Sequence, residues 1–112
     1  PVPIVDFKFH DGDTLEVGAL KFDVIMTPGH TPGSVCLLLQ DDTDEQKYYL
    51  FSGDTLFAQS IGRTDLVGGD ETKMTQSLER LDTLPDNVEV FPGHGTTTTL
   101  ELERAINQFW PR

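Results

Sequence analysis

Three residues of metal-ligating type each stand directly after a glycine. They are His30 in Thr27-Pro28-Gly29-His30-Thr31-Pro32-Gly33, Asp54 in Ser52-Gly53-Asp54-Thr55, and His94 in Pro92-Gly93-His94-Gly95. Histidine and carboxylate are ligands for zinc, iron and manganese. A neighbouring glycine lets backbone and ion approach closely, and proline-glycine loops hold a ligand with little freedom left to lose. Singly, each would pass as an ordinary polar turn residue. Their recurrence in one context makes them candidate ligands.

That context is a strand end. Phe22–Met26, Tyr48–Phe51 and Val88–Phe91 are short apolar runs rich in β-branched and aromatic residues, and each precedes one of the three glycines. Three strands are therefore expected to deliver His, Asp and His to one edge of a sheet.

The remaining elements follow from the same rules. Val5–Phe9 alternates apolar and polar residues, His10-Asp11-Gly12-Asp13 supplies a turn, and Thr14–Val17 resumes a strand, predicting a hairpin. After a turn at Gly18-Ala19, a strand from Leu20 to Met26 stops at Pro28-Gly29. Ser34–Leu39 is almost continuously apolar, the pattern of a strand buried on both faces, and its expected neighbour is Lys47–Phe51. The acidic stretch Gln40–Gln46 between them reads as a solvated hairpin loop. Beyond Asp54 periodicity is lost through the glycine-rich Gly62–Asp70, placed across the same sheet edge. Met74, Leu78 and Leu81 share one face of a helix that starts near Thr72, with Asp70 or Thr72 as N-cap and Pro85 beyond its end. A last helix is predicted from about Leu100 to Phe109, capped from Thr96–Thr99 and stopped by Pro111.

Other chemistry-bearing residues take plainer readings. His10 ends a strand beside an acidic turn and is expected in solvent. Asp11-Gly12-Asp13 lacks the oxygen-ligand spacing of a calcium loop. Cys36, inside an apolar strand with no cation beside it in sequence, reads as core. Arg63 allows two readings: a guanidinium that meets a substrate carboxylate, or a strut paired to Asp65 or Asp70, with the strut favoured.

The chain has 112 residues, enough for one small domain or part of one, and a net charge of -11. That charge repels phosphate backbones and anionic membranes, so nucleic acid and membranes are not expected partners. No apolar run approaches the roughly 18 residues of a spanning helix, and no basic-then-apolar leader is present. The single cysteine excludes an internal disulfide and fits a reducing, cytoplasmic setting. A first residue of Pro1 points to a chain processed or cut from something longer.

Taken together, these residues resemble the second half of a metallo-β-lactamase-fold protein. Thr27–Gly33 resembles that superfamily's third-histidine motif, Ser52–Phe57 its bridging-aspartate motif, and Val90–Gly95 its final-histidine motif, in the family's order. Gly62-Arg63-Thr64-Asp65-Leu66 with Gly68-Gly69-Asp70, Leu84-Pro85-Asp86 and the Thr96–Thr99 run further resemble the hydroxyacylglutathione hydrolase (glyoxalase II)-like branch.

The resemblance implies the C-terminal half of a four-layer αββα sandwich, with a mostly antiparallel sheet and two helices. It also implies a dinuclear zinc site in the intact domain, with iron or manganese as alternatives. His30 would belong to one metal, His94 to the other, and Asp54 would bridge them. The chemistry is activation of water and polarisation of an ester, thioester or lactam carbonyl. The family's first motif, His-x-His-x-Asp-His, is absent here, so residues 1–112 are expected to form a partial domain without turnover. The sheet face left by the missing half needs cover, and either another copy or that half is the expected partner. Two further readings come from other classes. One is a sulfur dioxygenase-like oxidoreductase with a single iron, similar in its Gly62-Arg63-Thr64-Asp65 stretch; the other is a non-catalytic interaction module.

Overall fold

The structure, a computed structural model, describes residues 10–40 and 47–111. The predicted strand Val5–Phe9 and most of the acidic stretch Gln40–Gln46 lie outside the described residues.

Alternation and β-branching produce strands where the sequence predicts them. Strand β1 (Thr14–Val17) turns at Gly18 into β2 (Leu20–Met26), which pairs with it antiparallel. Strand β3 (Val35–Gln40) lies antiparallel between β2 and β4 (Tyr48–Gly53). Strand β5 (Leu56–Phe57) and β6 (Ser60–Ile61) form a separate hairpin. Helix α1 (Glu71–Leu81) follows, and then β7 (Val88–Pro92), which runs parallel to β4. Strand β8 (Thr98–Thr99) pairs antiparallel with β7 and leads directly into helix α2 (Leu100–Ile106). The main sheet has the order β1-β2-β3-β4-β7-β8.

This order aligns the three ligand-bearing strand ends. Because β2 and β4 are each antiparallel to β3, they run in the same direction, and β7 is parallel to β4. The C-terminal ends of β2, β4 and β7 therefore emerge at one end of the sheet. His30, Asp54 and His94 follow those ends.

The two faces of the sheet differ. Met74, Leu78 and Leu81 of α1, Leu100 of α2 and Trp110 pack with Cys36, Leu50, Val88 and Val90 into one core cluster. Asp70 caps α1 by accepting the Lys73 N–H, as the sequence allows. The opposite face carries Phe22, Leu37, Leu39, Tyr49, Phe51 and Phe91 by strand alternation and register. Phe51 and Phe91 stack at 5.4 Å, and Phe22 meets Phe51 edge-on at 5.8 Å. Phe51 is 38% exposed, and the other five are half-buried.

Two expectations need correction. Strand β3 is not buried on both faces: only Cys36 is buried, while Leu37 and Leu39 lie on the aromatic face outside the core cluster. The Gly62–Asp70 excursion carries no helix or strand, as expected, and just before it two strands of two residues each pair, too brief to leave a period. Helix α2 ends at Ile106 rather than Phe109. Asn107 adopts an extended backbone (ψ 116°), and its side-chain oxygen accepts the Phe109 N–H at 2.8 Å.

Candidate metal centre

Each candidate ligand sits on a turn fixed from below. The His30 loop is closed by Thr27 N–H to Ser34 O at 2.9 Å, and it is tied to α1 by Asp70 N–H to Gly29 O at 2.7 Å and Ser77 Oγ to Pro28 O at 2.7 Å. Gly29 has φ +149°, and a Cβ there would lie 2.6 Å from the Met74 Cα, so only glycine lets the loop rest on the helix. The Asp54 turn is closed by Thr55 N–H to Ser52 O at 2.9 Å and steadied by Ser52 Oγ donating to Leu56 O at 2.7 Å. The His94 turn is joined to it by Gly93 N–H to Gly53 O at 2.8 Å, just where the β4–β7 register shifts.

These turns bring the three side chains to the wall of one cavity of about 370 Å³, lined also by Phe57, Ser60, Ile61, Gly62 and Arg63. Asp54 stands between the histidines. Its Oδ2 is 3.7 Å from His30 Nε2, and its Oδ1 is 3.6 Å from His94 Nδ1. Both separations exceed hydrogen-bond length. Two ligands of a tetrahedral zinc, each at about 2.0–2.1 Å, stand about 3.3 Å apart. The separations are thus within a few tenths of an ångström of a ligand pair and too long for direct bonding. Among the described residues, no three His, Cys, Asp or Glu side chains gather tightly enough to form a cage by themselves. The arrangement is two histidine–carboxylate pairs that share Asp54.

The two imidazoles are oriented by different means. His30 Nδ1 lies 2.9 Å from the Arg63 carbonyl oxygen. A carbonyl only accepts, so Nδ1 carries the proton and, in the neutral ring, Nε2 presents its lone pair toward Asp54. This is the outer hydrogen bond that metal-ligating histidines use to fix their tautomer. His94, whose side chain is 74% exposed, makes no side-chain hydrogen bond among the described residues. It packs instead on Phe57, with ring centroids 4.5 Å apart and planes tilted by 32°.

Arg63 takes the strut role. Its Nε donates to Asp65 Oδ1 at 2.9 Å and its Nη2 to Asp65 Oδ2 at 3.1 Å. That forked pairing holds the Asp65 carboxyl below the usual carboxylate range. Asp70, the other candidate partner, caps α1 instead. Arg63 is also one of the residues lining the cavity. His10 is exposed beside Asp13, as expected. Cys36 is fully buried, and burial pushes its thiol up to about 11. Asp11 does more than turn the chain, because it accepts from Met26 N–H at 2.9 Å and from Arg80 Nη1 at 2.6 Å.

Sequence reasoning did not assign roles to the Arg63 carbonyl, to Phe57, or to the buried hydroxyls Thr27 and Thr55 under the loops. Each acts through a contact between segments distant in sequence or through the backbone, and composition carries no signal for either.

Residues 1–94 match the model of the metallo-beta-lactamase superfamily, and the chain belongs to that superfamily. It is 35% identical over 100 residues to the hydroxyacylglutathione hydrolase GloC of Haemophilus influenzae, covering 88% of this chain and 45% of GloC. It is 35% identical over 107 residues to the mitochondrial persulfide dioxygenase ETHE1 of Bos taurus, covering 91% of this chain and 40% of that one. A crystal structure of TTHA1623 in a di-iron-bound form superposes with a TM-score of 0.75 at 39% identity, covering 97% of this chain and 50% of that chain. The chain spans about half the length of the curated relatives it matches. The α/β architecture, a mostly antiparallel sheet with two helices, is that of the superfamily's structures.

The donor set fits the metal chemistry of the family. Two imidazoles and one carboxylate face a common space, one imidazole has its tautomer fixed by an outer hydrogen bond, and none of the three neutralises another by direct bonding.

Proposed function

We propose that this chain carries the His30, Asp54 and His94 portion of the metal site of a hydrolase acting on a thioester or related acyl substrate. The observation that carries the reading is the Asp54 carboxylate, with one oxygen facing each histidine at 3.6–3.7 Å. A carboxylate so placed is suited to lie between two ions, with His30 holding one and His94 the other. Bound zinc, or iron or manganese in the same place, supplies Lewis acidity and a water acidic enough to attack near neutral pH. The chain's own residues orient that chemistry. The Arg63 carbonyl holds the His30 ring, Phe57 backs the His94 ring, and the cavity wall of Phe57 and Ile61 gives an acyl group an apolar surface. Similarity to GloC supports the thioester substrate class.

A second reading is an oxidoreductase with one iron, supported by equal identity to the persulfide dioxygenase ETHE1. In that case the same three side chains serve one ion.

In this proposal, residues 1–112 are a partial domain. The aromatic sheet face of Phe22, Phe51 and Phe91 seats the other half of the sandwich, since the relatives are about twice as long. That half supplies the remaining ligands, and the isolated chain turns over no substrate. Elemental analysis of the protein joined to such a half separates the readings: two zinc ions with thioester hydrolysis supports the hydrolase, and one iron with persulfide oxidation supports the alternative. Thioester hydrolysis that survives removal of all metal would refute both, as would Asp54→Asn with unchanged metal content. Sedimentation of the isolated chain tests the face. A monodisperse monomer with little binding of apolar dye overturns the need for cover, and a stable homodimer makes a second copy its occupant.

A further inference from the structure

The Phe57 ring that backs His94 sits on the β5–β6 hairpin, and that hairpin rests on a buried carboxylate. Glu103, on α2, is 0% exposed. Its Oε1 accepts the Gln59 backbone N–H at 2.8 Å and the Asn107 Nδ2 at 2.8 Å, and its Oε2 accepts from Thr98 Oγ1 at 2.7 Å. Asn107, also 0% exposed, donates to the Ser60 carbonyl at 3.2 Å. Gln59 of the hairpin turn is therefore tied through its N–H to α2, and Ser60 of β6 through its C=O to the C-cap residue of that helix. Gln59 has φ +62°, the one left-handed non-glycine residue among those described. Such a conformation costs energy and persists where surrounding contacts enforce it. Here the enforcing contact is the buried carboxylate.

From this geometry we infer that Glu103 is a positioning residue for the metal centre: it fixes the β5–β6 hairpin so that Phe57 holds the His94 imidazole. His30 needs no such platform, because the Arg63 carbonyl orients it. His94 has the stack in place of a hydrogen bond. The inference deepens the proposed metal site, and its primary test requires no metal.

The test is the carbon–proton NMR spectrum of the histidine rings in the 112-residue chain. An aromatic ring at 4.5 Å shifts the His94 ring protons by its ring current, and Phe57→Leu gives the reference position without that shift. Expected for Glu103→Ala is movement of the His94 resonances most of the way to the Phe57→Leu position, with His30 resonances and amide dispersion unchanged. Glu103→Gln, which keeps an oxygen for Gln59 and Asn107, should restore most of the wild-type position. If Glu103→Ala does not fold, Asn107→Ala carries the test, with a smaller displacement in the same direction expected. His94 resonances that stay at the wild-type position in the folded variant overturn the inference, as does an equal displacement of His30, which marks a general loosening.

Zinc affinity, measured by competition with a chelator in the protein joined to its other half, should fall about ten- to hundredfold in Glu103→Ala. No binding of zinc, iron or manganese in the wild type would sink the proposed function and leave the ring-current result to decide the role of Glu103.

Discussion

Thr27 Oγ1 and Thr55 Oγ1 lie 3.0 Å apart in the interior, both fully buried, and join the root of the His30 loop to the Asp54 turn. Thr27 Oγ1 is also 3.5 Å from Cys36 Sγ, which in turn reaches the Ser52 carbonyl at 3.9 Å. A small polar network thus lies beneath two of the three candidate ligands. Replacing one hydroxyl by an isosteric methyl leaves the other short of a partner. Thr27→Val or Thr55→Val should each cost about 1–3 kcal/mol in urea unfolding. The double variant should cost less than the sum, because no orphaned hydroxyl remains. Strict additivity would show that the two hydroxyls do not depend on one another.

Gly62 and Gly33 make a matched pair of alanine substitutions. A Cβ on Gly62 would fall 1.8 Å from the Asp54 carbonyl oxygen and 3.1 Å from the His30 Cβ, whereas one on Gly33 meets nothing within 4 Å. Gly62→Ala must displace the Asp54 backbone or the hairpin and should destabilise by at least the roughly 1–3 kcal/mol typical of overpacking, with loss of metal. Gly33→Ala should be neutral or slightly stabilising through the unfolded chain. Thermal melts and metal content of the two variants check this directly.

Cys36 makes stability fall at high pH. Its folded-state pKa is raised from 9.0 to about 11 by burial, so the folded chain holds the proton where the unfolded chain releases it. The contribution is complete below pH 9 and is lost as pH rises toward 11. By linkage the loss is about 3 kcal/mol. Cys36→Ala should flatten the stability profile over that window, and alkylation of Cys36 in the native chain should be limited by unfolding.

The Asp11–Arg80 contact acts at the opposite end of the pH scale. The Arg80 guanidinium first, and then the Met26 N–H, hold the Asp11 carboxyl below its ordinary value of 3.8. Its contribution is present above that value and fades as pH falls through the lower folded-state value. Wild type should exceed Asp11→Asn in stability at pH 6, and the two should converge in acid. A constant difference down to pH 2 would place the effect in packing rather than charge.

The sequence by itself determined what is local. A glycine before each of His30, Asp54 and His94, the apolar runs before those glycines, and the Asp70 cap with Met74, Leu78 and Leu81 on one helical face all act within a few residues, where dihedral preference and periodicity are written directly. The family motifs in Thr27–Gly33, Ser52–Phe57 and Val90–Gly95 were legible for the same reason.

Tertiary structure alone decided that β2, β4 and β7 run the same way. Strand direction depends on pairing order, and β4 reaches β7 across the intervening hairpin and α1. It also decided that the Arg63 carbonyl meets His30, 33 residues away, and that Glu103, 44 residues from Gln59, holds the hairpin beneath His94. Such contacts join segments far apart in the chain. Their energy comes from burying polar groups with satisfied partners, and no pattern of neighbouring residues records which partners meet.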